Sequence, residues 1–344
     1  MGNEKIKIIT ISAKNSETVE FRKFNSIEGN DAVYDENGSF SKQLSTNCGV
    51  FVFDINEKKN EKLMVIVTPQ YKVDFSNIKG NSLSTEVKEI NSQKELLFFN
   101  KDKGLFFKGV EKSKIRLKLS EFPADKIKEI NSLIETYNKF ANCKLTELPE
   151  LNDKNKDTKI TITPFAFDVA GLFEFIARER IREIIKPKQD GEVLDDWEVL
   201  DGNSNSRNVL KETKEKNKKE NKKEFHINGE VKPDIILRNK NKHIIIDAKY
   251  KSSDKNDRED RLQILAYAYL YDAHIVGHIF PSHAKSSRDN NKKELKFHEL
   301  NTSLGDYCYV QLYLDDKNLS KNIKEIIKQT EEISDKENEQ NGNQ

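Results

Sequence analysis

The sequence has 344 residues, of which 35% are hydrophobic and 34% are charged, and its formal net charge is +1. This length allows one large or two moderate domains, and the balanced charge excludes a global attraction to nucleic acid, so that phosphate binding needs local patches. The three cysteines lie far apart, which argues against a zinc site, an iron–sulfur cluster or a disulfide framework. The sequence also lacks an apolar run typical of a signal peptide or a membrane span, which predicts a cytoplasmic protein without a membrane partner.

The first half of the chain has the pattern of a β-rich module closed by a helix. Short apolar or β-branched runs between turn-forming residues predict strands over 5–13, 49–55 and 63–69 and a hairpin over 96–109. Apolar residues at helical spacing predict a helix over 124–141. We interpret residues 1–150 as a β-rich N-terminal domain that ends in a helix.

The second half mixes helices and strands. The pattern predicts helices over 170–185, 259–273 and 318–333, and strands over 197–200, 274–281 and 306–314, with two further strands inside 231–251. This order indicates an α/β sheet domain, which we assign to residues 165–333. The Lys- and Glu-rich segment 201–224 is predicted to be a mobile insertion, and residues 334–344 a disordered tail.

The stretch VKPDIILRNKNKHIIIDAKYK, residues 231–251, carries the chemistry. Asp234 precedes the first apolar run and Asp247 follows the second, with RNKNK as the turn of a hairpin. In an antiparallel pair those two ends are adjacent, so the carboxylates come within reach of one cation. Asp247 and Lys249 are two residues apart and project from the same face of their strand.

Two oxygen ligands and an ammonium on a rigid sheet suit phosphodiester hydrolysis. Asp234 and Asp247 would bind Mg²⁺, with Mn²⁺ as an alternative, and the carbonyl of Ala248 could add a ligand. Glu174, on the helix over 170–185, is the candidate for a further carboxylate. Lys249 would position or deprotonate the attacking water, or stabilise the transition state.

A purely structural salt bridge between Asp247 and Lys249 is the alternative interpretation. An acid-x-Lys triplet also arises by chance in a chain this rich in charge. Strongly apolar strands favour the functional interpretation, because an unpaired acid there would be costly. The six histidines, including the HIVGH pair His274 and His278, are assigned ordinary surface or packing roles.

These residues resemble the PD-(D/E)xK nuclease superfamily. Asp234 matches the first acid of its motif, and Asp247-x-Lys249 matches the (D/E)xK part. Gln263 and Tyr267, four apart on the next helix, look like the Q-x-x-x-Y helix of the RecB-like branch, where the pair orients the DNA backbone or the catalytic core. Three stretches are similar to the McrC family of McrBC-type modification-dependent restriction systems. They are GLFEFIARERI, the hairpin, and QILAYAYLY followed by GHIFP. The resemblance covers about residues 165–315 well and the first 150 weakly.

The resemblance implies a restriction-endonuclease-like mixed sheet flanked by helices and a Mg²⁺-dependent deoxyribonuclease acting on double-stranded DNA. It implies a partner, a McrB-like AAA+ GTPase ring onto which the N-terminal domain docks, and dimerisation of nuclease domains as a route to double-strand cleavage. The chain has no GxxxxGK[ST] phosphate loop of its own. A stand-alone RecB-like exonuclease and an inactive nuclease fold used as a DNA-binding or assembly module are the alternatives.

Overall fold

The computed structural model describes residues 5–13, 20–23, 47–56, 61–71, 95–100, 105–111, 115–140, 144–186, 194, 196–202, 204–205, 207–208, 230–253, 258–281, 295–302, 305–314 and 317–341. The chain divides into two compact units, residues 1–172 and 173–344. In the described part of the chain, no helix is long and apolar enough to cross a membrane.

Unit 1 is built mainly from strands. They are β1 (Lys5–Ala13), β2 (Glu20–Lys23), β3 (Asn47–Asn56), β4 (Glu61–Pro69), β5 (Glu95–Asn100), β6 (Leu105–Glu111), β7 (Ile115–Lys118), β8 (Lys159–Ile162) and β9 (Phe165–Asp168), with the helix α1 (Ala124–Phe140) between β7 and β8. Seven strands form one sheet in the order β1-β4-β3-β6-β5-β2, with β9 also paired to β3. The remaining two, β7 and β8, pair with each other.

Local sequence patterns account for much of unit 1. The β5–β6 hairpin predicted from two phenylalanine-containing runs is confirmed. The predicted helix corresponds to α1, and its apolar positions at helical spacing are all buried, namely Ile127, Ile130, Leu133, Ile134, Tyr137 and Phe140. The short strands β8 and β9 were not predicted, because each has only four residues and Pro164 lies between them.

Unit 2 contains a mixed sheet and its helices. The helix α2 (Val169–Ile185) crosses the division between the units and is followed by β10 (Glu198–Asp201), β11 (Arg207–Asn208), β12 (Glu230–Val231), β13 (Ile235–Asn239), β14 (Lys242–Ala248), α3 (Arg258–Tyr271), β15 (Ile275–Phe280), β16 (His298–Thr302), β17 (Gly305–Tyr313) and α4 (Leu319–Asn341). The sheet order is β10-β13-β14-β15-β17-β16. The central pairs β14–β15 and β15–β17 are parallel, and the outer pairs are antiparallel.

The core of unit 2 explains why α3 follows β14. Parallel strands need a crossover connection, and α3 provides it between β14 and β15. One face of the helix packs on the sheet through Ile236, Ile245, Ile264, Tyr267, Ala268, Tyr271, Ala273 and Val276. Successive β14 residues Ile244, Ile245 and Ile246 are all fully buried, so that both faces of this strand are covered.

Several predicted boundaries are corrected by the structure. The hairpin turn is shorter than RNKNK, since Asn239 already pairs with Lys242 and Lys240 takes the left-handed conformation, with φ of 52°. The unpredicted strand β16 completes the sheet edge. The last helix extends to Asn341, so most of the tail expected to be disordered is helical. The start of the predicted insertion belongs to β10 and β11, and its residues 209–224 lie outside the described residues.

Candidate functional site

The β13–β14 hairpin brings Asp234 and Asp247 to one end of the sheet. Ile235 pairs with Ile246, which makes Asp234 and Asp247 the next facing positions. The Ala248 N–H donates a 2.6 Å hydrogen bond to Asp234 Oδ2, and this bond holds the first carboxylate against the end of β14. The register agrees with the predicted adjacency.

Lys249 lies between the second carboxylate and the next helix. Its Nζ is 2.5 Å from Asp247 Oδ2 and donates a 2.8 Å hydrogen bond to Gln263 Oε1. Burial acts to lower the pKa of Lys249, but the charge of Asp247 and its hydrogen bond, with the charges of Asp260 and Asp234, outweigh burial and raise that pKa. The side chain is therefore an ammonium at neutral pH.

Gln263 and Tyr267 continue the hydrogen bonding that begins at Lys249. Gln263 Nε2 donates to the Tyr267 hydroxyl over 2.6 Å, and the hydroxyl donates to the Lys232 carbonyl over 3.1 Å. Burial raises the pKa of Tyr267, and the charges of Asp247 and Asp234 raise it further, so that the hydroxyl keeps its proton. The two residues that were singled out for their four-residue spacing thus contact each other and the hairpin.

The charge of Asp234 is poorly compensated. Burial, then the negative charges of Asp247 and Glu174, raise its pKa well above the ordinary range, while the Ala248 N–H and Lys249 act in the opposite direction. Glu174, which is half-buried on α2, therefore adds its charge to the site. Asp234 and Asp247 thus place two carboxyl groups side by side next to the Lys249 ammonium.

The adjacent carboxyl groups of Asp234 and Asp247 fit a divalent cation held by oxygen atoms. No three or more His, Cys, Asp or Glu side chains in the described residues are arranged to hold a metal ion by themselves. The Ala248 carbonyl lies on the same side of β14 as its N–H, toward Asp234, because both groups of a strand residue face one neighbour. Two carboxylates, a carbonyl and several waters are a donor set typical of Mg²⁺.

Residues that the sequence did not single out also hold the site. Arg178, on α2, donates a 3.4 Å hydrogen bond to the Asp234 carbonyl and lies 3.2 Å from an Asp201 carboxylate oxygen. Its place four residues after Glu174, on the same helix face, was a usable signal. A Cβ added at Gly202 would lie 1.5 Å from the Pro233 carbonyl oxygen, a close approach that no local pattern signals.

Asp260 and His278 complete the surroundings of the ion pair. Asp260 lies 3.5 Å from Lys249 Nζ and forms an ion pair with Lys251. His278 is fully buried on β15, and its Nε2 is 4.0 Å from Asp247 Oδ2. Of the surface and packing roles predicted for the histidines, this position leaves only the second for His278.

The fold and site define an α/β protein with a carboxylate–lysine centre at the end of a hairpin in a mixed sheet. Residues 106–281, just over half of the chain, match the family described as McrBC 5-methylcytosine restriction system component. The chain belongs to this family, which confirms the resemblance identified from the sequence.

Two further comparisons complete the picture. No curated protein matches the chain. Among solved structures, it is similar to a chain of a refined half-complex from the tetradecameric assembly of Thermococcus gammatolerans McrB AAA+ hexamers with bound McrC, with a TM-score of 0.38 and 12% identity. The similarity covers 94% of this chain and 100% of that chain.

Proposed function

We propose that this protein is the Mg²⁺-dependent DNA endonuclease subunit of a McrBC-like restriction system, with Mn²⁺ as an alternative metal. The observation that carries the proposal is the connected set Asp247, Lys249, Gln263 and Tyr267 beside Asp234. A salt bridge that served only stability would need Asp247 and Lys249 alone. It would not account for Asp234, whose carboxyl group is held beside that pair although the charges of Asp247 and Glu174 oppose its ionisation.

Each residue has a distinct role in this proposal. Asp234, Asp247 and the Ala248 carbonyl would hold Mg²⁺, and Glu174 would add negative charge nearby. When bound, the ion polarises the scissile phosphate and lowers the pKa of a water molecule. The Lys249 ammonium stabilises negative charge that develops on the phosphate. Gln263 and Tyr267 are positioning residues, which keep Lys249 directed at the reacting phosphate.

The substrate and partner follow from the family. Membership in a 5-methylcytosine restriction system favours modified double-stranded DNA as the substrate. The chain has no phosphate loop, so we propose that a McrB-like AAA+ GTPase ring supplies recognition and translocation and that the N-terminal domain docks onto it. Pairing of two nuclease units would allow both strands to be cut.

Cleavage of 5-methylcytosine-containing and unmodified plasmid DNA tests the proposal. The protein is assayed alone and with a McrB-like GTPase, with Mg²⁺ or EDTA. Asp247→Ala and Lys249→Ala are compared with Asp306→Ala, which changes an exposed acid on β17. We expect cleavage of modified plasmid only with partner, GTP and Mg²⁺, lost in the first two variants and kept in the third.

Two other outcomes would overturn the proposal in different ways. Degradation of linear DNA by the protein alone would identify a stand-alone exonuclease. A lack of cleavage in every combination, with no Mn²⁺ binding by calorimetry, would identify an inactive fold that serves as a DNA-binding or assembly module.

A further inference from the structure

A row of polar side chains crosses three neighbouring strands of the unit 2 sheet. Asp247 on β14 is the register partner of His278 on β15, and His278 is the register partner of Gln311 on β17. Side chains at paired positions of parallel strands project from the same face. The row therefore runs directly away from the Asp247 carboxylate into the sheet.

Hydrogen bonds connect the inner members of this row. His278 Nδ1 lies 2.9 Å from the Tyr309 hydroxyl, and Gln311 Nε2 donates to that hydroxyl over 3.3 Å. An amide nitrogen can only donate, so the Tyr309 oxygen accepts from Gln311, and a hydroxyl that accepts there is suited to donate its own proton to His278 Nδ1. Nδ1 is then an acceptor, and the single proton of the neutral imidazole resides on Nε2.

The protonated Nε2 faces Asp247. Among the described residues, Nε2 of the fully buried His278 has no hydrogen-bond partner, and it lies 4.0 Å from Asp247 Oδ2. A movement of about 1 Å by either side chain brings the two atoms to hydrogen-bond distance. A buried N–H group without a hydrogen-bond partner costs free energy, so a hydrogen bond from Nε2 to Asp247 would be favourable.

We propose that His278 is a positioning residue for Asp247, with its tautomer set by Tyr309 and Gln311. Its N–H restrains the same oxygen that Lys249 holds, which leaves the other carboxylate oxygen directed at a metal ion. The neutral imidazole does this without adding a second positive charge. This inference rests on the proposed metal-dependent nuclease function.

The tautomer is tested in the metal-free full chain by two-bond ¹⁵N–¹H correlation spectra of the histidine rings. The His278 signal is assigned by its loss in His278→Gln. We expect the Nε2–H tautomer in the unmodified protein and loss of that fixed tautomer in Tyr309→Phe, with no change in Tyr307→Phe on the same strand. An Nδ1–H tautomer, in which His278 donates to the Tyr309 hydroxyl, would overturn the inference. An unchanged spectrum in Tyr309→Phe would overturn it as well.

Metal binding tests the effect on Asp247. Mn²⁺ titration by calorimetry is compared for His278→Leu, which removes the donor, and His278→Gln, which returns an N–H near the Nε2 position. We expect about tenfold weaker binding in the first variant and substantial recovery in the second, as for other residues that orient metal ligands. Equal affinities in both variants and the unmodified protein would overturn this inference alone. Absence of Mn²⁺ binding in the unmodified protein would overturn the proposed function as well.

Discussion

The 2.8 Å hydrogen bond from Lys249 Nζ to Gln263 Oε1 joins the end of β14 to α3. Gln263 donates a hydrogen bond to Tyr267, and the Tyr267 hydroxyl donates to the carbonyl of Lys232, in the segment between β12 and β13 just before Asp234. The position of the ammonium is thus set by both the hairpin and the helix. This arrangement makes Gln263 a residue whose loss should affect chemistry far more than folding.

Gln263→Ala should lower the rate of DNA cleavage by about 100-fold, because Lys249 loses the hydrogen bond that ties it to Gln263 on α3. Gln263 is exposed, so the free energy of unfolding should change by less than about 1 kcal/mol. Single-turnover cleavage and urea unfolding measure the two effects. Leu262→Ala, at an exposed neighbouring position on α3, is the control and should keep full activity. Equal activities would contradict the role of Gln263.

Asp234→Asn should make the metal-free protein more stable while abolishing cleavage. The charges of Asp247 and Glu174 act against the buried Asp234 carboxylate, and the amide removes this repulsion while its oxygen can still accept from the Ala248 N–H. We expect a higher free energy of unfolding for the variant in EDTA, measured by urea unfolding at pH 7. Added Mg²⁺ should stabilise the unmodified protein and not the variant. A loss of stability in Asp234→Asn would show that the carboxylate charge is already compensated.

His278 should make the protein less stable in acid. Burial is the main cause that lowers its pKa to about 4, whereas an unfolded chain has a histidine pKa of about 6.5. Between these values the unfolded state binds a proton that the folded state does not. Above pH 6.5, His278 is neutral in both states and does not reduce the free energy of unfolding. As the pH falls from 6.5 toward 4, proton binding to the unfolded state lowers that free energy by about 3 kcal/mol in total.

The difference in unfolding free energy between the unmodified protein and His278→Gln isolates this effect. The raised pKa of Asp234 produces the opposite trend in an overlapping range, but Asp234 is present in both proteins. We expect the difference to shift in favour of the variant as the pH falls from 7 to 4. A difference that does not change with pH would mean that His278 is accessible to protons in the folded state.

The sequence was informative where structure is local. The hairpin placed Asp234 opposite Asp247, the period of a strand placed Lys249 beside Asp247, and the period of a helix placed Gln263 beside Tyr267. Each of these relations spans a short stretch of chain with one periodicity, so residue spacing alone predicted it. The α/β class of the second unit followed from the order of helices and strands, whereas the mixed sheet was an implication of the family resemblance.

The parts that were missed depend on distant strands. The contact of His278 with Tyr309 requires the register of β15 against β17, and the approach of Gly202 to Pro233 requires β10 to pair with β13. No periodicity within one segment encodes such a register. The strand β16 was not predicted; it pairs antiparallel with β17 at the sheet edge. The helical part of the tail was missed for another reason, because there α4 continues through a polar sequence without an apolar stripe.

Gly202→Ala should damage the site through the backbone. The added Cβ would meet the Pro233 carbonyl oxygen at 1.5 Å, so the backbone must shift at Gly202 or just before Asp234. We expect a loss of about 1–3 kcal/mol in unfolding free energy and weaker Mn²⁺ binding by calorimetry. Gly171→Ala on α2 is the matched control, because its Cβ would lie 3.1 Å from the side chain of Asp168. It should change stability by less than about 1 kcal/mol and leave Mn²⁺ affinity unchanged. Unaltered metal binding in Gly202→Ala would show that the position of Asp234 does not depend on β10.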